Sequence, residues 1–128
     1  MSAVDAQTRA ATILIVEDEA SAREASRRYL EVCGFRVRTA ATAAEAETQA
    51  ADFTPDIAIC DWRLAGSRDG VEIARELQRR YSTTIIFMTA YPLDELKDAT
   101  RDLEVAAYFR KPVSLTALAE AIETADTG

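Results

Sequence analysis

Short runs of apolar residues that stop abruptly at polar side chains restrict the fold of this chain more than any other feature of its sequence. Residues 13–16, 57–60 and 85–88 are continuous apolar runs rich in isoleucine. Runs of this length are typical of strands that are buried on both faces of a sheet. Residues 35–39 alternate between apolar and polar side chains, and residues 105–109 form a last short apolar run. The sequence therefore predicts five strands.

Helix patterns fill the segments after these runs. Behind the first run, apolar residues recur at helical spacing at Ala22, Ala25, Tyr29 and Cys33, and Gly34 supplies a C-terminal stop. The later segments repeat the pattern at Ala43, Ala46 and Ala50, at Val71, Ala74, Leu77 and Tyr81, at Leu93, Leu96 and Leu103, and at Leu115, Leu118 and Ile122. Strands that alternate with amphipathic helices indicate a parallel sheet with helices on both faces. We therefore predict a doubly wound, five-stranded parallel α/β fold.

The composition excludes several classes of function. The 128 residues carry a formal net charge of −7, which does not suit direct binding to nucleic acid, because phosphates are bound by Lys and Arg. Without histidine the chain can form neither a His-containing metal site nor a His-based catalytic triad. No stretch approaches the roughly 18 apolar residues of a membrane span, and the N-terminus lacks a signal-peptide pattern. We therefore expect a soluble cytoplasmic protein, in which Cys33 and Cys60 are reduced core residues.

The sequence suggests a simple domain organisation. Residues 1–11 are small and polar without periodicity, and we interpret them as a flexible leader. Residues 12–128 are expected to form one domain, since no linker, internal repeat or second domain is visible in the sequence. We therefore expect a stand-alone domain.

Charged and polar side chains stand where the predicted strands end. Glu17 and Asp18 follow the first strand, Asp61 the third, Thr89 the fourth and Lys111 the fifth. Ligands of doubly wound sheets bind beyond the carboxyl ends of the strands, so we expect these side chains to meet at one edge. Clustered carboxylates repel one another unless a cation lies among them, and a site with few protein oxygen ligands indicates Mg2+. An aspartate at such a site can be the nucleophile toward a phosphoryl group, whose oxygens the metal, the ammonium and the hydroxyl would bind.

Two neighbours of these residues are given structural roles. Glu19 is expected to begin the first helix, where an acidic side chain suits the helix dipole. Trp62 is expected to be a loop or interface anchor rather than a catalytic group.

Four motifs together resemble the receiver domains of two-component response regulators. They are ILIVEDE, the Asp of IAICDWRL, the Thr of IIFMTAY and the Lys-Pro of YFRKP, each at the end of its own strand and in the family's order and spacing. The resemblance spans residues 12–125, nearly the whole chain. It implies the flavodoxin-like (βα)5 receiver fold.

The resemblance also implies a role for each matching residue at the magnesium site. Asp61 is the expected phosphoacceptor and a metal ligand, Asp18 the direct Mg2+ ligand, and Glu17 a ligand that acts through water. The backbone carbonyl of Arg63 is the expected third protein contact to the metal. Lys111 is expected to bind the phosphoryl group.

A conformational switch is implied by the same resemblance. Thr89 is expected to contact the phosphoryl group and to form a switch pair with the aromatic Tyr108. The output would be a changed protein-binding face on the fourth helix, the fifth strand and the fifth helix. The Lys111–Pro112 bond is expected to be cis, as in relatives.

The chain departs from the family pattern at several positions. Glu17 stands where relatives often have Asp, a common variant that still offers a carboxylate to the metal. Ala65 replaces a frequent Pro, and residues 65–70 are one residue longer than usual, so we expect a more mobile loop. Ala106 and Ala107 replace the usual Gly-Ala pair.

Several functions are open on this evidence. The leading one is a signalling switch, not an enzyme, in which a histidine kinase or a histidine phosphotransfer protein phosphorylates Asp61 and the altered face binds a protein target. Such a domain can be an effector, a relay intermediate or a phosphate sink. A phosphatase of the haloacid-dehalogenase type would need a second Asp at position 63, where this chain has Arg63. A flavodoxin-type cofactor binder would need a phosphate loop in place of the acidic segment, and a degenerate scaffold would lack that segment and Lys111.

Overall fold

One parallel sheet organises the part of the chain that the structure describes, which is residues 11–64, 66 and 68–127 of this computed structural model. Its strands are β1 (Thr12–Val16), β2 (Arg36–Ala40), β3 (Ile57–Asp61), β4 (Thr84–Thr89) and β5 (Val105–Arg110). The helices that alternate with them are α1 (Ala20–Val32), α2 (Ala43–Phe53), α3 (Gly70–Tyr81), α4 (Leu93–Ala99) and α5 (Leu115–Thr127). The strands lie in the order β2-β1-β3-β4-β5, so the predicted fold is confirmed.

Helices cover both faces of the sheet, as the alternating pattern predicts. α1 and α5 pack on one face, where Leu30, Leu118 and Ile122 contact the isoleucines of the central strands. α2, α3 and α4 pack on the other face, with Leu77 and Leu96 in its core. β1, β3 and β4 are almost entirely buried because both of their faces are covered.

The carboxyl ends of β1 and β3 lie side by side where the order of strand addition reverses. β1 pairs with β2 on one side and with β3 on the other. Connections leave these two strands in opposite directions at such a point, and a crevice opens between them. The crevice is therefore bordered by residues 17–18 after β1 and by Asp61 at the end of β3.

The buried face of α1 differs from the predicted one. Ala25 and Cys33 of the predicted apolar stripe are exposed, and Leu30 is the fully buried side chain of this helix. A leucine side chain removes more apolar surface from water than an alanine, so the helix is turned to bury Leu30. Spacing alone did not distinguish these two faces.

The cysteines were both predicted to lie in the core, and this is wrong for Cys33. Cys33 is the exposed C-cap of α1. Gly34 follows with a φ of 102°, and this turn ends the helix while the Cys33 side chain is still on its solvent-exposed side. Cys60 is buried in β3 as predicted, and burial raises the pKa of its thiol to about 12. Both thiols are free.

Helix α4 is shorter than the leucine pattern suggests. Leu96 is buried as predicted, but the helix ends at Ala99, and Leu103 packs against the core from the following turn. At this end the Thr100 hydroxyl donates to the Leu96 carbonyl at 2.9 Å and satisfies one of the terminal acceptors of the helix. At the other end the N-cap is Pro92, which makes no side-chain capping bond.

The described part of the chain begins at Ala11, directly before the predicted domain start at residue 12. Ala11 is buried, and its carbonyl accepts a hydrogen bond from the Arg36 N–H at 3.1 Å. Residues 1–10 of the predicted leader and residue 128 lie outside the described residues. Within the described residues, no helix combines the length and the apolar character needed to cross a membrane.

Candidate functional site

Three carboxylates meet at the crevice between β1 and β3. Glu17 and Asp18 follow β1, Asp61 ends β3, and one oxygen of each lies within 4.8 Å of the other two. Glu17 and Asp61 are only 2% and 6% exposed, whereas Asp18 faces solvent. Glu17 is fixed by its own backbone, whose N–H donates to the Ala40 carbonyl of β2 at 3.0 Å. The structure therefore brings together the acidic residues that the strand ends predict.

Lys111 directly follows β5, and its side chain reaches the same cluster. Its ammonium donates to Asp61 Oδ2 at 2.5 Å and to Glu17 Oε1 at 2.9 Å. Its backbone N–H donates to the Thr89 carbonyl at 2.8 Å, which ties the loop after β5 to the end of β4. The following Lys111–Pro112 bond is cis, as the resemblance implies.

The buried position of this cluster changes the acidity of its members. Burial raises the pKa of Asp61 to about 6, and the nearby carboxylate of Glu17 adds to the increase, against the opposing hydrogen bond from Lys111. Burial acts to lower the pKa of Lys111, but its hydrogen bonds to Asp61 and Glu17 outweigh that effect and the pKa is raised. Ionised Asp61 is thus under-compensated, and added positive charge would stabilise it.

The donor set fits a hard divalent cation. Three carboxylates face one ammonium, so two negative charges are left over at full ionisation. Carboxylate and carbonyl oxygens with water are the ligands that Mg2+ takes. The side chain of Arg63 lies over the Trp62 ring, and no described residue donates a hydrogen bond to the Arg63 carbonyl. The role of that carbonyl as the third protein contact to the metal stays a prediction.

The Thr89 hydroxyl lies at the end of β4, one residue beyond the pairing of Asp61 with Met88. Thr89 is fully buried, and its Oγ1 accepts a hydrogen bond from the Tyr91 N–H at 3.0 Å. Because this oxygen is an acceptor there, the hydroxyl proton can be donated to a phosphoryl oxygen.

Tyr108, the other member of the predicted switch pair, is half buried between β5 and α4. Its ring stacks on Phe87, with centroids 6.1 Å apart, and its hydroxyl lies 2.6 Å from the Thr100 Oγ1. The Lys97 ammonium lies 5.5 Å from the centre of the ring. Tyr108 therefore contacts the C-terminal end of α4 and not the acidic cluster.

Trp62 lies in the loop after β3, where its side chain packs into the core and so anchors the loop, as predicted. It is 7% exposed and packs with Val71 and other residues under α3. Glu19 begins α1 as predicted, since its carboxylate accepts from the Ser21 and Ala22 N–H groups.

The described part of the loop after β3 is linked to α2 by a charged pair. Arg68 donates two hydrogen bonds to Glu47 of α2, at 2.7 and 3.0 Å. Ala65 and residue 67, which carry part of the departure from the family pattern, lie outside the described residues. At the other departure, Ala106 is exposed on β5 and Ala107 is half buried.

Gly70 is the residue near the site that sequence patterns did not identify. A Cβ at this position would lie 1.7 Å from the Asp61 carbonyl oxygen, so the start of α3 requires a residue without a side chain. In the sequence, the Asp69–Gly70 pair indicates only that a helix begins there, and Asp69 is the N-cap of α3. The close approach to β3 depends on the packing of α3 and has no local sequence signal.

Comparison with known proteins identifies the family. The profile described as the response regulator receiver domain matches residues 13–123. The chain belongs to this family.

The relatives of this receiver domain include longer regulatory proteins. It is 39% identical over 108 residues to the phosphate regulon transcriptional regulatory protein PhoB of Pseudomonas aeruginosa, covering 80% of this chain and 46% of that protein. It is 34% identical over 114 residues to the transcriptional regulatory protein PdtaR of Mycobacterium tuberculosis, covering 88% of this chain and 55% of that protein. The chain thus spans about half the length of these relatives.

Solved structures show the same fold. The signal receiver domain of a modulated diguanylate cyclase from Desulfovibrio desulfuricans is 35% identical with a TM-score of 0.83, covering 91% of this chain and 93% of that one. A CheY-like receiver domain protein from Methanospirillum hungatei is 28% identical with a TM-score of 0.83, covering 92% of this chain and 95% of that one. The resemblance inferred from the four motifs is therefore confirmed.

Proposed function

We propose that this receiver domain accepts a phosphoryl group on Asp61 in a Mg2+-dependent reaction and that phosphorylation changes a protein-binding face. The observation that carries the proposal is the buried Asp61 carboxylate, 2.5 Å from the Lys111 ammonium and clustered with two further carboxylates. Burial raises the pKa of Asp61, and a cation bound beside it would favour its ionised, nucleophilic form.

The chemistry follows from the positions of these groups. A carboxylate oxygen of Asp61 attacks the phosphorus of a phosphohistidine, a P–O bond forms, and the P–N bond breaks with its electron pair returning to the imidazole. Lys111, already bound to Asp61, neutralises charge on a phosphoryl oxygen. Asp18, Asp61 and the Arg63 carbonyl would hold Mg2+, with Glu17 acting through water, and the bound ion would supply further positive charge to the transferring group.

The output is proposed to run from Thr89 to the α4–β5–α5 face. The Thr89 hydroxyl would donate its proton to a phosphoryl oxygen, and the Tyr91 N–H, which is bonded to the same hydroxyl, would follow its movement and shift the loop before α4. Tyr108 contacts the C-terminal end of α4, so its surroundings would change when the helix shifts. Protein targets would therefore distinguish the two states on α4, β5 and α5.

Partners follow from this chemistry. The donor would be a histidine kinase or a histidine phosphotransfer protein, and the chain would act as a phosphoacceptor and not as an enzyme on a separate substrate. Effector, relay intermediate and phosphate sink are three uses of the same reaction. The stand-alone organisation and the cytoplasmic location stay predictions.

The test is phosphorylation by a small phosphodonor such as acetyl phosphate, followed by intact mass spectrometry. The wild type should gain one phosphoryl group with Mg2+ and none with a chelator. Asp61→Asn should gain none, whereas Asp52→Asn, which removes an exposed carboxylate at the end of α2, should behave as the wild type. Labelling of Asp61→Asn at the wild-type level would refute the assignment of the phosphoacceptor.

A further inference from the structure

Three side chains from two different loops stack against one another beside Asp61. The Arg63 guanidinium lies 4.2 Å from the centre of the Trp62 ring and 5.4 Å from the centre of the Tyr91 ring. The two rings meet edge to face, with centroids 5.9 Å apart and planes at 74°. We call this group the Trp62–Arg63–Tyr91 stack. Because Trp62 and Arg63 follow β3 and Tyr91 follows β4, the stack joins the two loops.

One side of the stack is rigid. The Trp62 N–H donates to the Met88 carbonyl at 3.0 Å, and the Trp62 carbonyl accepts from the Gly70 N–H at 2.6 Å. The Arg63 guanidinium also lies 3.8 Å from Asp69, the N-cap of α3. Trp62 therefore provides a fixed surface on which the Arg63 side chain rests.

The position of the Tyr91 ring, on the other side of the stack, depends on its contacts with Trp62 and Arg63. The Tyr91 residue is 48% exposed, so core packing does not fix its ring. Its backbone N–H, however, donates to the Thr89 hydroxyl at 3.0 Å. Contacts of the ring with Trp62 and Arg63 therefore hold the segment that positions this hydroxyl.

We propose that Arg63 and Tyr91 are positioning residues, whose stacking on Trp62 holds the loop after β3, and with it the Arg63 carbonyl, in place and thereby raises the affinity for Mg2+. This inference rests on the proposed function, because it concerns the same metal site. Guanidinium–aromatic contacts at exposed sites are weak, and their loss lowers the fraction of molecules with the loop in a binding-competent position. We expect an increase of about threefold in the Mg2+ dissociation constant when the stack is broken.

The experiment is a Mg2+ titration without phosphodonor, followed by amide chemical shifts and by the fluorescence of Trp62, the one tryptophan of the chain. Arg63→Ala and Tyr91→Ala should each weaken binding about threefold. The double variant should weaken binding by less than the product of the two single effects, because the contact between Arg63 and Tyr91 is lost in both single variants. Tyr91→Phe keeps the ring and should bind as the wild type does.

A matched control comes from another stacked arginine. The Arg38 guanidinium lies 4.7 Å from the centre of the Phe53 ring and is paired with Asp52, away from the acidic cluster. Arg38→Ala should leave the titration midpoint unchanged. Arg63→Lys retains the charge at a half-exposed position, so it should fold, but it loses the planar stacking group and should bind like Arg63→Ala.

The outcomes separate this inference from the proposed function. Unchanged midpoints in the Arg63 and Tyr91 variants, or weakening that adds up in the double variant, would overturn the positioning role while Mg2+ binding stands. A wild type that shows no response to Mg2+ would overturn both proposals. Thermal unfolding of each variant checks that a change in midpoint does not reflect loss of the fold.

Discussion

Replacing Gly70 by alanine tests how closely α3 approaches the phosphoacceptor. The added Cβ would lie 1.7 Å from the Asp61 carbonyl oxygen and 3.2 Å from the Trp62 Cα. An ordinary carbon–oxygen contact is about 3.3 Å, so helix and strand would have to separate by about 1.6 Å. Neither side can yield easily, because the obstructing atoms belong to the backbone of β3 and of the residue that follows it.

The expected loss of stability has two parts. The Gly70 N–H donates to the Trp62 carbonyl at 2.6 Å, and losing this bond costs about 1 kcal/mol. The first turns of α3 bury Val71, Ile73 and Ala74 against the sheet, and forcing them outward costs about 1–3 kcal/mol, as overpacking does elsewhere. Gly70→Ala should therefore lower the free energy of unfolding by about 2–4 kcal/mol.

Urea denaturation with Gly34→Ala as the control decides whether crowding is the cause. Gly34 has a φ of 102°, but a Cβ there would meet nothing within 4 Å, so only backbone strain of about 1 kcal/mol is expected. Gly70→Ala should also be phosphorylated more slowly, because the Asp61 backbone is displaced. A Gly70→Ala protein as stable as Gly34→Ala would show that the contact relaxes and that the geometric argument is wrong.

Three further predictions concern the site itself. Burial raises the pKa of Asp61 to about 6, so the folded state binds the carboxyl proton more tightly than the unfolded chain does. The free energy of unfolding in metal-free buffer should therefore fall as pH rises from about 4 to 7. The denaturant midpoint of Asp61→Asn should decrease less over the same pH range. Arg63 and Tyr91 are bulky and lie two residues beyond Asp61 and Thr89, so we expect them to hinder the approach of water to the aspartyl phosphate. Arg63→Asn with Tyr91→Glu should then shorten the lifetime of the aspartyl phosphate by up to about tenfold, or about 1.4 kcal/mol of barrier; equal rates of autodephosphorylation would exclude this role. A beryllofluoride complex should shift amide signals of residues 90–122 most strongly outside the site, and a response confined to residues 60–70 would contradict the proposed output.

Much of the fold was predictable because each central strand is a continuous apolar run. Both faces of β1, β3 and β4 are covered by helices, so successive residues of these strands must be apolar and the runs are visible in the sequence. The site was predictable for the same reason, since Asp61 and Lys111 stand directly at or beyond strand ends. A parallel sheet brings such ends to one edge whatever their separation along the chain.

Features that depend on how helices and loops pack were not predictable. Leu30 rather than Cys33 is buried on α1, because the rotation of a helix over a sheet is set by tertiary contacts. The stacking of Arg63 with Tyr91 joins residues far apart in sequence, and neither carries a local pattern that indicates the other. The need for glycine at position 70 arises from the distance between α3 and β3, which sequence periodicity does not report.

The two ends of the short helix α4 are anchored unequally. Its C-terminal end is fixed by Thr100, which bonds to both the Leu96 carbonyl and the Tyr108 hydroxyl. Its N-terminal end, at Pro92, has no side-chain cap and follows the loop that carries Thr89. A displacement of that loop would therefore move the first turn of α4 while its C-terminal end stays bound to Tyr108, and the change at the site would reach the surface that this helix presents.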